Sequence, residues 1–376
     1  MLRLQSPLPD EFTTSDGQTL ASRISAAKAT LGSRLVVLGH HYQRDEVMRW
    51  ADARGDSFGL SRLAAANHDA RYVVFCGVHF MAESADILTG PDQAVILPDL
   101  NAGCSMADMA DIDSVTEAWE AIAEVTDVDA VVPITYMNSS AALKAFVGRH
   151  GGAVCTSSNA QAVLTWALAQ HGPTTKLLFF PDQHLGRNTG YQLGFTEGDM
   201  AVWDPRAELG GLDERTVKER TFLLWKGHCS VHQRFRPAHV EAWRSAHPGG
   251  AVIVHPECSH DVVTLADQVG STDAIIAAVE IASARVASGA APAGTAIAIG
   301  TEIHLVARLA GEHPDLDIAS LDPLVCPCST MFRVDAPHLC WVLENLVAGR
   351  IVNQITVDGA TAADARIALE RMLAIT

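Results

Sequence analysis

Residues 251–266 read AVIVHPECSHDVVTLA: four apolar strand formers, a polar cluster of His255, Glu257, Cys258 and His260, then a return to apolar spacing. A short β-branched run that stops abruptly at polar residues fits a strand buried on both faces. The same succession recurs along the chain. RLVVLGHHYQRDE (34–46), YVVFCGVHFMAESADIL (72–88), AVVPITYMNSSAALKAF (130–146) and AVCTSSNAQAVLTWALA (153–169) repeat it, as do KLLFFPDQHLG (176–186) and TAIAIGTEIHLVARLA (295–310). Strands alternating with Ala-rich helical stretches predict βαβ units with parallel sheets, an α/β fold. In such sheets ligands gather beyond the C-terminal ends of the strands, where the polar clusters lie.

At 376 residues the chain exceeds what one hydrophobic core usually supports. Two or three domains are expected, divided as 22–112, 113–220 and 221–335, with a C-terminal helical segment, 336–376, joining the first and packing on the body. The stretch 186–220, polar and rich in glycine, reads as a long loop or insertion in the second unit. A formal net charge of −17 excludes the basic face of a nucleic-acid binder. An anionic substrate must therefore be held by local backbone donors or a few chosen cations. MLRLQSPLPDEFTTSDGQ has no signal-peptide core, and the most apolar later region, 274–300, is interrupted by Glu280, Arg285 and glycines. A cytoplasmic protein without a membrane partner is expected.

The eight cysteines of this long chain do not read as a disulfide framework, which belongs to small secreted domains. Cys76 and Cys340 sit in apolar surroundings and Cys155 ends a strand, so all three read as packing. Cys104 in NAGCSM, Cys229 in KGHCSVH and Cys328 in CPCSTM differ: each sits in a loop, one per expected unit. They lie roughly a hundred residues apart or more, far from any zinc-finger or ferredoxin spacing. If they meet, three thiolates leave one metal position open, the mark of a catalytic site. His255-Pro-Glu257 also matches the H-x-E of zinc deaminases, but Pro327-Cys328 is followed at 331 by Met instead of the second cysteine. A zinc hydrolase or deaminase using His255, Glu257 and Cys328 is the alternative reading. A non-catalytic dicarboxylate binder is a third. NSSA, TSSNA and GSTDA place small hydroxyl residues before apolar helical runs, suited to capping a helix and turning its N-terminal amides toward an anion.

Taken in order, GHHYQRDEV with the downstream GDS, VHFMAESADIL, LPDLNAGCSM, YMNSSAALKA, CTSSNA, FFPDQHLG, WKGHCSVH, VHPEC, LADQVGST and CSTM resemble the quinolinate synthase family. The resemblance runs from about 35 to 332. It implies three αβα units in pseudo-threefold arrangement around a central active site, with a 4Fe-4S cluster held by Cys104, Cys229 and Cys328. For the third ligand the family pattern C-x-x-M fits Cys328 and not Cys326. The implied reaction condenses iminoaspartate with dihydroxyacetone phosphate to quinolinate, losing phosphate and two waters, in de novo NAD biosynthesis. An aspartate-oxidising enzyme would supply the imine.

By the same resemblance His255 and Glu257 belong to the substrate site, Glu257 as the proton-abstracting base, and His40 with Tyr42 form a second acid–base and hydrogen-bonding pair. Ser57, Tyr136, Asn138, Ser157 and Thr272 correspond to residues that hold the dicarboxylate, and Met137 contributes through its backbone. His41 has no implied role. His79, His184, Glu83 and Glu302 read as structural or supporting, and His232 faces either the cluster or the substrate. Cys326 adds a thiol beside Cys328.

Overall fold

The apolar runs become strands because they are buried on both faces; every residue of Tyr72–Cys76, Lys176–Phe180 and Phe222–Trp225 is shielded from solvent. The structure is a computed structural model that describes residues 5–324 and 327–375, so Cys326 lies outside the described residues. The first sheet takes β1 (Leu35–His40), β2 (Ala53–Gly55), β3 (Tyr72–Cys76) and β4 (Ala94–Ile96) in the order β4-β3-β1-β2. The second takes β5 (Val131–Tyr136), β6 (Ala153–Cys155), β7 (Lys176–Phe180), β8 (Met200–Trp203) and β9 (Phe222–Trp225) in the order β6-β5-β7-β9-β8. The third takes β10 (Ala251–Val254), β11 (Gln268–Val269), β12 (Thr295–Gly300) and β13 (Leu316–Ser320) in the order β11-β10-β12-β13. All these pairs are parallel. The exception is β14 (Gln354–Ile355), which adds to β4 antiparallel.

The expected α/β class with three parallel sheets is what the chain adopts. In every sheet the first strand lies between the second and the third. The order therefore reverses beside β1, β5 and β10, and it is at such switch points that open α/β sheets leave a crevice for ligands.

By contacts the chain divides into two compact units. One holds the first sheet: residues up to Cys104 with Pro327–Gly359. In it the helices Gly17–Leu31 and Ala336–Val347 pack together, and Arg23 pairs with Glu344 at 2.7 Å. The other holds the second and third sheets and the C-terminal helix Gly359–Ala374. In that unit Arg149 pairs with Asp364 at 2.9 Å, and a Cβ at Gly148 would come within 2.0 Å of the Asp364 carbonyl oxygen, so only glycine lets this helix dock.

Three expectations are corrected here. The segment 336–376 does not act as one piece, because Ala336–Val347 packs with the first sheet while Gly359–Ala374 packs in the other unit. The edge at 220 cuts off β9, whose ladder with β7 and β8 makes it part of the second sheet. The stretch 186–220 is no loop: it holds most of the helix Gln183–Gln192, strand β8 and the helix Glu214–Glu219. Short elements studded with polar residues hid its regularity. No helix among the described residues is long and apolar enough to cross a membrane.

Candidate active site

The sequence-marked residues fall at equivalent topological positions. His40 ends β1, Tyr136 ends β5, and His255 follows β10 directly, so each stands at the switch point of its sheet. After the second strand of each sheet a helix begins near a hydroxyl: Ser57 opens Ser57–Ala66, Ser157 precedes Ala160–Leu168, and Thr272 opens Thr272–Ala287. Beyond the last parallel strand of each sheet comes a cysteine loop. Cys104 follows β4, Cys229 follows β9, and Cys328 follows β13 in the chain.

Within the unit of the second and third sheets, Glu257 is the centre of a buried network. It is 4% exposed. The Tyr136 hydroxyl donates to its Oε1 at 2.5 Å, and His232 Nδ1 lies 2.8 Å from its Oε2, off the N–H axis. His232 Nε2 is 3.1 Å from Thr301 Oγ1, at the end of β12. The His232 and His255 rings stack with centroids 4.6 Å apart. Burial by itself would raise the Glu257 carboxyl, but the His232 ring and the Tyr136 hydroxyl outweigh it and hold the group well below the usual carboxylate range. Burial pushes His255 down to about 3, so this ring is neutral at pH 7. Its Nδ1 accepts the Glu257 backbone N–H at 3.3 Å, which leaves the ring proton on Nε2.

Next to this network Asp182 is wholly buried and driven well above the ordinary carboxylate range, by burial and then by the Glu257 charge. Its side chain caps Leu185 N–H at 2.7 Å. The Cys229 loop leaves β9 close by: a Cβ at Gly227 would sit 2.1 Å from the Pro181 carbonyl oxygen, and the Trp225 indole donates to Met109 at 2.7 Å. The YMNSS turn is braced from inside. Met137 N–H donates to Cys155 at 2.8 Å, Ser139 Oγ to the Tyr136 carbonyl at 2.9 Å, and the buried Lys144 ammonium to the Ser139 carbonyl. Asn138 is half-buried at its tip.

A cleft of about 450 Å³ in the same unit is lined by Ser157, Ser158, Gln161, Thr189, Gly270 and Ser271. Two helices start at it. Asn159 stands at the N-cap of one, and Ser271 caps the other by accepting Ala274 N–H at 3.3 Å. Thr272 is 3% exposed and its Oγ1 has no hydrogen-bond partner among the described residues. Helix N-termini supply unpaired amides and positive dipole ends, the local anion attraction that an acidic chain needs.

In the unit of the first sheet, His40 is buried and its Nδ1 accepts Tyr42 N–H at 3.2 Å, while the two rings meet edge to face with centroids 4.9 Å apart. Asp56 caps the helix that begins at Ser57, accepting Gly59 N–H at 2.7 Å. Asp99 gathers two cysteine loops: it accepts Asn101 N–H at 2.8 Å, beside Cys104, and Arg333 Nε at 3.0 Å, just after Cys328. Residues beside His40 grip the same turn, Gln43 through the Met331 carbonyl at 3.3 Å and Arg44 through the Phe332 carbonyl at 2.6 Å.

The thiols separate into two populations. Cys76, Cys155, Cys258 and Cys340 are buried, and burial raises all four, Cys76 to about 12 and Cys340 to about 11. A thiol kept protonated is neither nucleophile nor metal ligand. Among the described cysteines Cys104, Cys229 and Cys328 are the partly exposed ones, so the donor set suits a thiolate-ligated group. Among the described residues Cys229, His232 and Glu257 also offer ligand atoms within 4.8 Å of one another. The trio of the zinc reading, His255, Glu257 and Cys328, is not among such groups.

Comparison with known proteins agrees with this geometry. The family model described as "Quinolinate synthetase A protein" matches residues 22–374. The chain belongs to the quinolinate synthase family. It is 55% identical over 371 residues to the quinolinate synthase of a Nocardioides species, covering 98% of this chain and 92% of that one. Against that of Rhodopirellula baltica identity is 52% over 375 residues, covering 97% and 93%, and against that of Herpetosiphon aurantiacus 55% over 361 residues, covering 95% and 93%. Membership makes the chain an enzyme of NAD biosynthesis acting on small molecules, and it gives the zinc hydrolase and the binding-only readings no support. Residue reasoning left His232 open and missed Asp182, Thr301 and Lys144. Thr301 ends the run TAIAIG as His255 ends AVIV, so the strand-end signal was present there. The other two reveal themselves only through burial.

Proposed function

We propose that this enzyme condenses iminoaspartate with dihydroxyacetone phosphate to quinolinate, releasing phosphate and two waters. Cys104, Cys229 and Cys328 would hold a 4Fe-4S cluster, which when bound supplies a Lewis-acidic iron for substrate oxygens. The observation that carries the reading is the buried Glu257, kept ionised between Tyr136 and His232. Only the ionised form can take a proton, and this carboxylate is charged at neutral pH despite its burial. Its low affinity for protons makes it a weak base while both partners are in place. A substrate that draws the Tyr136 hydroxyl onto its own oxygen raises that affinity as it binds, coupling proton abstraction to occupancy.

The neutral His255 donates from Nε2, and His40 and Tyr42 act as a second proton-handling pair. Ser157 and Thr272, at the two helix starts of the cleft, hold carboxylate or phosphate oxygens, together with Ser57, Asn138 and the backbone at Met137. Support for this division of labour comes from the recurrence of the same positions in all three sheets. An aspartate-oxidising enzyme delivers the imine, and both work in the cytoplasm. Anaerobic purification followed by iron and sulfide quantitation, each at about four per chain, and mass-spectrometric detection of quinolinate from the two substrates test the proposal. Iron-free protein with full turnover would end it.

A further inference from the structure

The helix Gln183–Gln192 carries no residue placed in proton transfer above, yet Asn188 on it grips the turn that bears Glu257. Asn188 is 2% exposed. Its Nδ2 donates to the Pro256 carbonyl at 2.8 Å and to the Cys258 carbonyl at 2.9 Å, the two carbonyls that flank residue 257. Both amide hydrogens are thereby used. The orientation of the amide follows from chemistry, since the flipped form would set Oδ1 against two carbonyl oxygens. Oδ1 instead faces His260 Nδ1 at 3.0 Å, which must carry the ring proton. The His260 ring stacks on Tyr191, one turn along the same helix, with centroids 3.9 Å apart. Within the turn, Cys258 N–H donates to the His255 carbonyl at 3.0 Å and Glu257 N–H to His255 Nδ1. Those bonds shape the turn, and His255 N–H, donating to the Gly300 carbonyl at 3.1 Å, ties its start to β12. The Asn188 amide holds the two carbonyls on either side of Glu257 itself.

We infer that Asn188 is a positioning residue that aims the Glu257 carboxylate at Tyr136 and His232, with His260 locking the Asn188 amide in its donating orientation. The inference rests on the reading of Glu257 as the base. Asn188→Asp keeps the shape and removes the donors. His260→Phe keeps the stack on Tyr191 and removes the proton on Nδ1, and it remains informative should the first variant fold poorly. Steady-state kinetics should find kcat down about 10²-fold in the first, as expected for a misaimed group, and about fivefold in the second, with KM within about threefold. The acidic limb of the kcat profile should move to higher pH in both as Glu257 loses its alignment. In a Glu257→Gln background each substitution should change the residual rate by less than about twofold, because the group it aims is gone.

A merely structural role would lower the rate by the same factor in both backgrounds and leave the limb in place; either result overturns the inference. Wild-type turnover in Asn188→Asp, or in His260→Phe where the first variant does not fold, with Glu257→Gln inactive, overturns it alone. Full turnover in Glu257→Gln overturns the reading of Glu257 and the inference with it.

Discussion

The end of β1 and the end of β10 are built alike and finished differently. At each, a buried histidine stands at the switch point and its Nδ1 accepts the backbone N–H two residues on, at 3.2 Å for His40 and 3.3 Å for His255. The residue so presented is Tyr42 in the first sheet and Glu257 in the third. One backbone device thus offers a phenol in one place and a carboxylate in the other. Their surroundings differ too. Glu257 is wrapped by His232, Tyr136 and the Asn188 amide, whereas the turn around Tyr42 is tied to the segment after Cys328 through Gln43 and Arg44. A repeated fold supplies the positions, and the side chain presented two residues past each histidine differs in kind.

The largest disturbance should come from the cysteine loops that neighbour both turns. Cys104→Ser, Cys229→Ser and Cys328→Ser should each abolish the brown chromophore and turnover, read by visible absorption and iron content, while Cys76→Ser keeps both. Glu257→Gln should retain iron and lose kcat by a factor on the order of 10²–10⁴, the range for removing a general base. Under the proposed roles, Tyr42→Phe should lose about 10–10²-fold, less than the loss at Glu257, because general acid–base groups contribute unequally to a barrier.

The two histidine turns should also part company on acidification. His255 resists protonation until about pH 3 in the folded chain, while the unfolded chain takes up that proton near 6.5. The unfolded state therefore binds more protons across this window, and stability falls as pH drops through it. Glu257, depressed in the folded state, adds to the loss as pH falls below the usual carboxylate value. Asp182, raised in the folded state, gains stability on acidification and offsets part of this loss, so the test is a difference: between pH 7 and 4 the melting midpoint of His255→Asn should fall less than that of the wild type. The smallest effect is expected at the opposite end of the third sheet. A larger cavity, about 590 Å³, opens there near the starts of β10 and β12, lined by His247, Gln268, Ile281, Arg285, Pro292 and Asp317. It lies at the wrong end of the strands for this chemistry, so Arg285→Ala should keep kcat/KM within about twofold.

The strands that carry the site were legible because burial on both faces forces unbroken apolar runs such as AVIV and KLLFF. Their polar ends were legible for the same reason. Strands β8 and β11, four and two residues long, lie among polar residues and glycines with no long apolar run to mark them, and with β8 the regularity of 186–220 went unseen. The helix Gly359–Ala374 announced itself as a helix but not which unit it joins, since that depends on Gly148 leaving room for it. Long-range pairings, such as His232 with Glu257, have no local signature. Cys76, Cys155 and Cys340 are buried and Cys104, Cys229 and Cys328 partly exposed, as expected, because loop context, unlike partner identity, is written next to each residue.

The Asn159 side chain ties the helix Gly359–Ala374 to the cleft beside Ser157. It accepts Thr156 N–H at 2.9 Å and donates to the Met372 carbonyl at 3.2 Å, 213 positions further along. The loop bearing Ser157 is therefore finished only when a distant stretch of polypeptide arrives. High sequence separation makes such closures slow. During synthesis the loop bearing Ser157 would stay unfinished until this helix has emerged and docked, so destabilising the helix would loosen the cleft as well as the fold.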